Sequence, residues 1–172
     1  MEEQEIDYIQ PTRFAGIQKL GELWAHLGNE IDEFLEVALP CVQKNHRGIK
    51  PTTDEKIGMA MELADIQVMC NTIIQHTGDL PTCEKDLPER FMERPNFTDQ
   101  LMYLLETKAK ASSEAKAIIR GSYAYSDQLA TELVKVIFAA EAVMIKLYEQ
   151  KEDRTKIRRM VYLKNEERGY YE

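Results

Sequence analysis

The sequence predicts an all-α protein: an antiparallel helical bundle of four main helices plus a short C-terminal helix, assembled as an oligomer. Three observations carry that expectation. Apolar residues recur in alternating steps of three and four, no segment alternates with period two, and only 8 Gly and 6 Pro interrupt the 172 residues. A composition 44% hydrophobic and 30% charged fits a helix-rich globular chain, and the length fits one domain, 1–172, with a real core.

The clearest amphipathic helix runs over 14–39, where Ile17, Leu20, Trp24, Leu27, Ile31, Phe34 and Ala38 form one stripe ended by Pro40. A polar and basic loop follows, through Gln43, Lys44, His46, Arg47, Gly48 and Lys50 to Pro51. The second helix, 52–77, opens on the capping-box signature Thr52-Thr53-Asp54-Glu55 and stops at Gly78, with Pro81 beyond. Residues 79–98 carry Pro81, Pro88 and Pro95 and read as a long connection. A third helix is expected over 98–120. A fourth, over 122–150 with its start at Ser122 or Ser126, shows the stripe Leu129, Leu133, Val136, Ala140, Met144, Leu147. The basic tail, 154–172, reads as a short helix followed by Gly169 and two tyrosines.

In the second helix apolar residues occur nearly all round (Met59, Ala60, Met61, Leu63, Ala64, Ile66, Val68, Met69), more than one bundle face consumes. Burial against a second subunit is the natural use, which predicts a homodimer or homotetramer. The net charge of −8 argues against binding to duplex nucleic acid or to an anionic membrane. The N-terminus MEEQEIDYIQ has no basic n-region or apolar h-region, and the fully apolar runs fall short of the ~18 residues that span a bilayer. Cys41, Cys70 and Cys83 show no C-x-x-C spacing and read as free thiols of a reducing compartment, so a cytoplasmic location is expected.

Within this frame two i,i+3 acidic pairs, Glu30/Glu33 and Glu62/Asp65, intrude on apolar helix faces. Spacing alone does not single them out, because Glu2/Glu5, Asp86/Glu89 and Glu149/Glu152 share the interval. Context does. At 100° per residue Glu62 points within about 40° of Gly58, Ile66, Met69 and Ile73, and Glu30 lies among Leu23, Phe34 and Val37. A half-buried carboxylate must be paired, protonated or bound to metal.

If the first two helices pack antiparallel, the pairs face one cavity and demand cations. Oxygen ligands without a thiolate or histidine partner suit Mg²⁺ or Mn²⁺ rather than zinc, copper or non-haem iron, and His26, His46 and His76 lack the Glu-x-x-His pattern of diiron proteins. Magnesium held by carboxylates is the usual partner of substrate phosphates, which makes phosphoryl chemistry the leading reaction class. The remaining substrate charge needs cations. Candidates are His46, Arg47 and Lys50 in the loop, and the C-terminal cluster Arg154, Lys156, Arg158, Arg159, Lys164 and Arg168, whose other reading is a solvated helix end.

Glu30-Ile31-Asp32-Glu33 and Glu62-Leu63-Ala64-Asp65, with 28 residues between Glu33 and Glu62, match an E-x-x-E then E-x-x-D motif on successive helices. Lys164-Asn165-Glu166-Glu167-Arg168-Gly169-Tyr170 supplies a lysine, an asparagine, an arginine and an aromatic near the end. In these features the chain resembles the MazG-like, all-α nucleoside triphosphate pyrophosphohydrolases, relatives of the dimeric dUTPases. The resemblance implies Mg²⁺-dependent hydrolysis of a nucleoside or deoxynucleoside triphosphate to the monophosphate and pyrophosphate. It places metal on Glu30, Glu33, Glu62 and Asp65, and a catalytic role in preparing water on Glu33 and Glu62. Lys164 and Arg168 would meet phosphate, and Asn165 and Tyr170 the sugar or base. Asn29 departs from the further Glu that many members carry. Together with the broad apolar surface it motivates the alternative, a catalytically inactive helical binding or assembly protein.

Overall fold

The computed structural model describes residues 8–78, 96–121 and 126–171. Most of the expected connection 79–98, Cys83 and the first residues of the expected fourth helix lie outside them. Among the described residues the chain is all-α, without a strand. A 3-10 turn, Arg13–Gly16, precedes five α-helices: α1 Leu20–Asn45, α2 Thr53–Thr77, α3 Phe97–Ile119, α4 Ser126–Leu147 and α5 Lys151–Glu167.

α1 is shifted relative to the stripe that announced it. Phe14 belongs to the 3-10 turn, and α1 starts later, where the Glu22 carboxylate accepts the Lys19 backbone N–H at 2.8 Å. At its other end α1 runs through Pro40 instead of stopping before it. Proline removes the N–H that would bond the Glu36 carbonyl, and both Glu36 and Pro40 lie on the exposed side of the helix. Buried Ala38 and Cys41 keep the turn on the core, and an ion pair between Lys44 and Glu55 pins the extension to α2.

α2 is capped as its sequence specifies. The Glu55 N–H donates to Thr52 Oγ1 at 3.2 Å and the Thr52 N–H to Glu55 Oε2 at 2.9 Å, while Gly78, at φ +72°, closes the far end. α1 and α2 run antiparallel, as contacts at both ends show. Lys44 meets Glu55 at one end, and His76 Nδ1 bonds the Ala15 carbonyl at 2.8 Å at the other. The N-terminal segment is tied alongside, with Asn71 Nδ2 donating to the Ile9 carbonyl at 2.6 Å and the Thr12 N–H to Thr72 Oγ1 at 3.0 Å.

α2 packs against α1, α4, α5 and the 3-10 turn, which explains why it is apolar nearly all round. Met59, Ala60, Leu63, Ala64, Ile66, Val68 and Met69 are all buried by this one chain. The surface that suggested a second subunit is thus largely consumed by the fold itself. α2 is also long and apolar enough to cross a membrane by length and composition, but 72% of its most apolar window is buried inside the protein, as in a core helix. α3 packs chiefly on α4.

The tail is more ordered than its composition suggested. α5 is a 17-residue helix, with Ile157, Val161 and Asn165 forming a narrow buried stripe at steps of four against α2. Few apolar residues mark that stripe, so its periodicity is faint in the sequence. Its consequence is large, because α5 lays Lys164 and Asn165 across the middle of α2.

Candidate metal centre

Antiparallel packing of α1 and α2 sets the two acidic pairs against one another. Glu30, Glu62 and Asp65 each bring a carboxylate oxygen within 4.8 Å of the others, and they could hold a metal ion. α5 supplies the opposite wall. Lys164 Nζ lies 2.6 Å from Asp65 Oδ2, and Asn165 Nδ2 donates to Asp65 Oδ1 at 3.0 Å. The whole forms a cavity of about 270 Å³ lined by His26, Asn29, Glu30, Glu33, Glu62, Asp65, Lys164, Asn165, Arg168 and Tyr170.

The electrostatics of this cavity are unbalanced. Burial and the neighbouring Asp65 charge push the Glu62 carboxyl up to about 7, against the opposing pull of Lys164. Glu62 Oε2 is buried and has no hydrogen-bond partner. Burial also raises Asp65, only 6% exposed, although Lys164 and Asn165 both favour its ionised form. His26 is raised by its bond to Glu30, Nε2 to Oε1 at 3.0 Å, against the effect of burial. Burial is the first cause for Glu62 and Asp65, and the Glu30 bond for His26; the surrounding carboxylates add to all three shifts. The site holds more negative charge than its own cations neutralise.

Comparisons of the chain with protein-family models, with curated proteins and with solved structures return no match. The chemistry of the site therefore rests on its own donors. A metal ion fits them: the three clustered carboxylates, one with an orphaned buried oxygen, are an all-oxygen set with no thiolate in the cavity lining. The expected absence of a histidine partner does not hold, since His26 lines the cavity bonded to Glu30. An ion there would offset the carboxylate repulsion that adds to burial in raising Glu62.

The other residues proposed from the sequence divide into two groups. Glu33 lines the cavity from an exposed position and is not one of the three clustered carboxylates. Lys164, Asn165, Arg168 and Tyr170 line it as well. Arg47 and Lys50 do not. Arg47 is exposed in the turn after α1, and Lys50 lines a separate cavity with Cys41, Lys56, Met59, Phe97 and Leu147. The separation follows from helix rise, since Thr52 and Glu62 lie about 15 Å apart along α2. Trp24 packs partly buried against the core and is not among the cavity residues.

Two features of the cavity had only weak sequence signals. His26 stands one helical turn before Glu30, an i,i+4 spacing that could have flagged the pair. Phe14 joins His26 and Tyr170 in an aromatic corner, with ring centroids 5.0 Å from Phe14 to Tyr170 and 6.2 Å from Phe14 to His26. The Arg13 N–H donates to the Tyr170 carbonyl at 2.8 Å, tying the C-terminal end to the 3-10 turn. Tyr171 instead stacks on Tyr162, ring centroids 4.7 Å apart.

Proposed function

We propose that the protein is a Mg²⁺-dependent nucleoside triphosphate pyrophosphohydrolase, with Mn²⁺ able to substitute. It converts a nucleoside or deoxynucleoside triphosphate to the monophosphate and pyrophosphate. One observation carries the reading: a carboxylate cluster with an orphaned oxygen faces, across a single cavity, a helix end bearing Lys164, Asn165 and Arg168. Acids suited to a cation and cations suited to phosphate share one space, which matches a metal-bound triphosphate.

Glu30, Glu62 and Asp65, with Glu33 at the rim, hold the metal, and when bound it withdraws charge from phosphoryl oxygens and acidifies water. Water cleaves the bridge between the α- and β-phosphoryl groups, its oxygen bonding to one phosphorus while the bridging oxygen leaves with the other. Glu33, exposed beside the cluster, accepts the water proton. Lys164 shifts its charge from Asp65 to phosphate, Arg168 meets phosphate at the mouth, and Asn165 and Tyr170 contact sugar or base. On this reading the chain is a cytoplasmic nucleotide-pool enzyme, an antiparallel bundle acting as a homodimer or homotetramer. It needs neither duplex nucleic acid nor a membrane.

The test is pyrophosphate release from a panel of standard and modified nucleoside triphosphates with Mg²⁺. Silence across the panel, in protein shown calorimetrically to bind the metal, overturns the assignment. Asn29 lines the cavity as a neutral side chain, and this favours a second reading, an inactive helical binding or assembly protein. Absence of both Mg²⁺ and nucleotide affinity in a stable oligomer would establish it instead.

A further inference from the structure

Outside the cavity, the densest polar network of the described residues joins α2, α4 and α5 around the Glu141 carboxylate. Arg154 Nε lies 3.0 Å from Glu141 Oε1, and Arg158 Nη2 pairs with Glu141 Oε2. Gln67 Nε2 donates to the same Oε2 and to the Ile137 carbonyl, both at 3.2 Å, while Arg158 Nε donates to Gln67 Oε1 at 3.3 Å. Arg154 Nη1 donates to the carbonyls of Tyr148 and Glu149 at 2.9 and 2.6 Å, so it also holds the connection between α4 and α5. Gln67 is 1% exposed, and the side chains of Arg154, Arg158 and Glu141 are 11, 16 and 19% exposed.

None of these four residues lines the acidic cavity. Their position along the helices nonetheless bears on it. Gln67 stands two residues beyond Asp65, about 3 Å of rise, and Arg158 stands six residues before Lys164, about 9 Å. Apart from this network, α5 is held by the buried apolar side chains Ile157 and Val161 and by the Lys164 and Asn165 bonds to Asp65 within the site itself. Beyond its end the Arg13–Tyr170 backbone bond adds a further tie. Apolar contact between smooth stripes tolerates sliding and rotation, whereas a carboxylate shared by two guanidinium groups does not.

We propose that the Glu141–Arg154–Arg158–Gln67 clasp is the positioning device of the site. It fixes α5 against α2 and thereby sets Lys164, Asn165 and Arg168 opposite Glu62 and Asp65. The four are positioning residues, and their effect on ligand binding rests on the pyrophosphohydrolase reading above. The clasp makes a separable prediction because the clustered acids stand on α1 and α2 while the phosphate-facing cations stand on α5. Loosening α5 should weaken phosphate binding and spare the metal.

The experiment compares wild type, Glu141→Gln and Arg158→Lys by three measurements: amide hydrogen exchange, Mn²⁺ titration, and binding of inorganic pyrophosphate in saturating Mn²⁺. Arg158→Lys keeps the charge and loses the planar bond to Gln67, so it decides the matter if Glu141→Gln does not fold. The expected result is faster exchange confined to residues 151–167, Mn²⁺ affinity within twofold of wild type, and pyrophosphate affinity at least tenfold weaker. Unchanged exchange in α5, or equal losses of Mn²⁺ and pyrophosphate affinity, overturns the proposal. Should wild type bind neither ligand, the proposed activity fails by itself. The exchange measurement then still rules on whether the clasp fixes α5.

Discussion

Two half-buried polar centres meet α2 barely a turn apart, at Asp65 and at Gln67, and they are opposite in kind. At Glu141 one carboxylate meets two guanidinium groups and an amide, and both of its oxygens are engaged. At Glu62 a carboxylate sits beside Asp65 and Glu30 with one oxygen buried and unpartnered, and the nearest ammonium is spent on Asp65. Both centres bury charge at a cost. The first recovers that cost within the chain and so serves the fold. The second does not, and the deficit is one that a bound metal ion could make good.

The difference is broken most sharply at Glu62. Glu62→Gln should reduce pyrophosphate release on the order of 10²–10⁴-fold, with the far-ultraviolet circular dichroism of a helical protein unchanged. An active, folded variant would remove Glu62 from the site. For stability the two centres should respond with opposite signs. Glu141→Ala removes the carboxylate shared by two arginines of a largely buried network and should cost about 3 kcal/mol in urea unfolding, whereas Glu62→Gln should stabilise the metal-free protein. Equal destabilisation by both would erase the distinction.

The pH dependence follows from the same imbalance. Glu62 keeps its proton to about 7 in the folded protein, against an ordinary value of 4.5 when unfolded, so between these values the folded state binds more protons. Through Glu62, stability of the metal-free protein should therefore fall as pH rises from about 4.5 to 7, and the raised His26 extends the fall above 6.5. The raised Asp65 and His26 act in the same direction. After discounting for the solvent around a half-buried group, Glu62 contributes about 1–2 kcal/mol to this slope. Urea titrations of wild type and Glu62→Gln across the window, without metal, isolate it, and saturating Mg²⁺ should abolish it. The smallest expected effect is at Lys164. Lys164→Met should raise KM for the nucleotide about tenfold, equivalent to ~1.4 kcal/mol, with a smaller change in kcat. A change in kcat alone would place Lys164 at the reacting atoms.

Local patterns in the sequence carry much of this protein. The three-and-four steps announce the helices, Thr52 to Glu55 announces the cap of α2, and the apolar neighbours of Glu62 mark it as out of place. These are legible because helix periodicity and capping involve residues within a turn or two of one another. The same locality explains the errors at α1. A proline reads as a stop, yet α1 continues through Pro40 because the turn beyond it is held by buried Cys41 and the Lys44–Glu55 ion pair, which are tertiary facts.

Fold class, acidic motif and candidate phosphate binders were thus determined by sequence alone, since each is a matter of residue type and short spacing. Only the tertiary structure decided which cations face the acids. Lys164 reaches Asp65 across 99 residues of chain, while Lys50, far nearer in sequence, is turned into another cavity. It also decided that α2 is covered by its own chain and that α5 is a full helix held by Glu141. Charge carries no label for its partner. Partners are assigned by the packing of whole helices, which depends on every buried side chain at once.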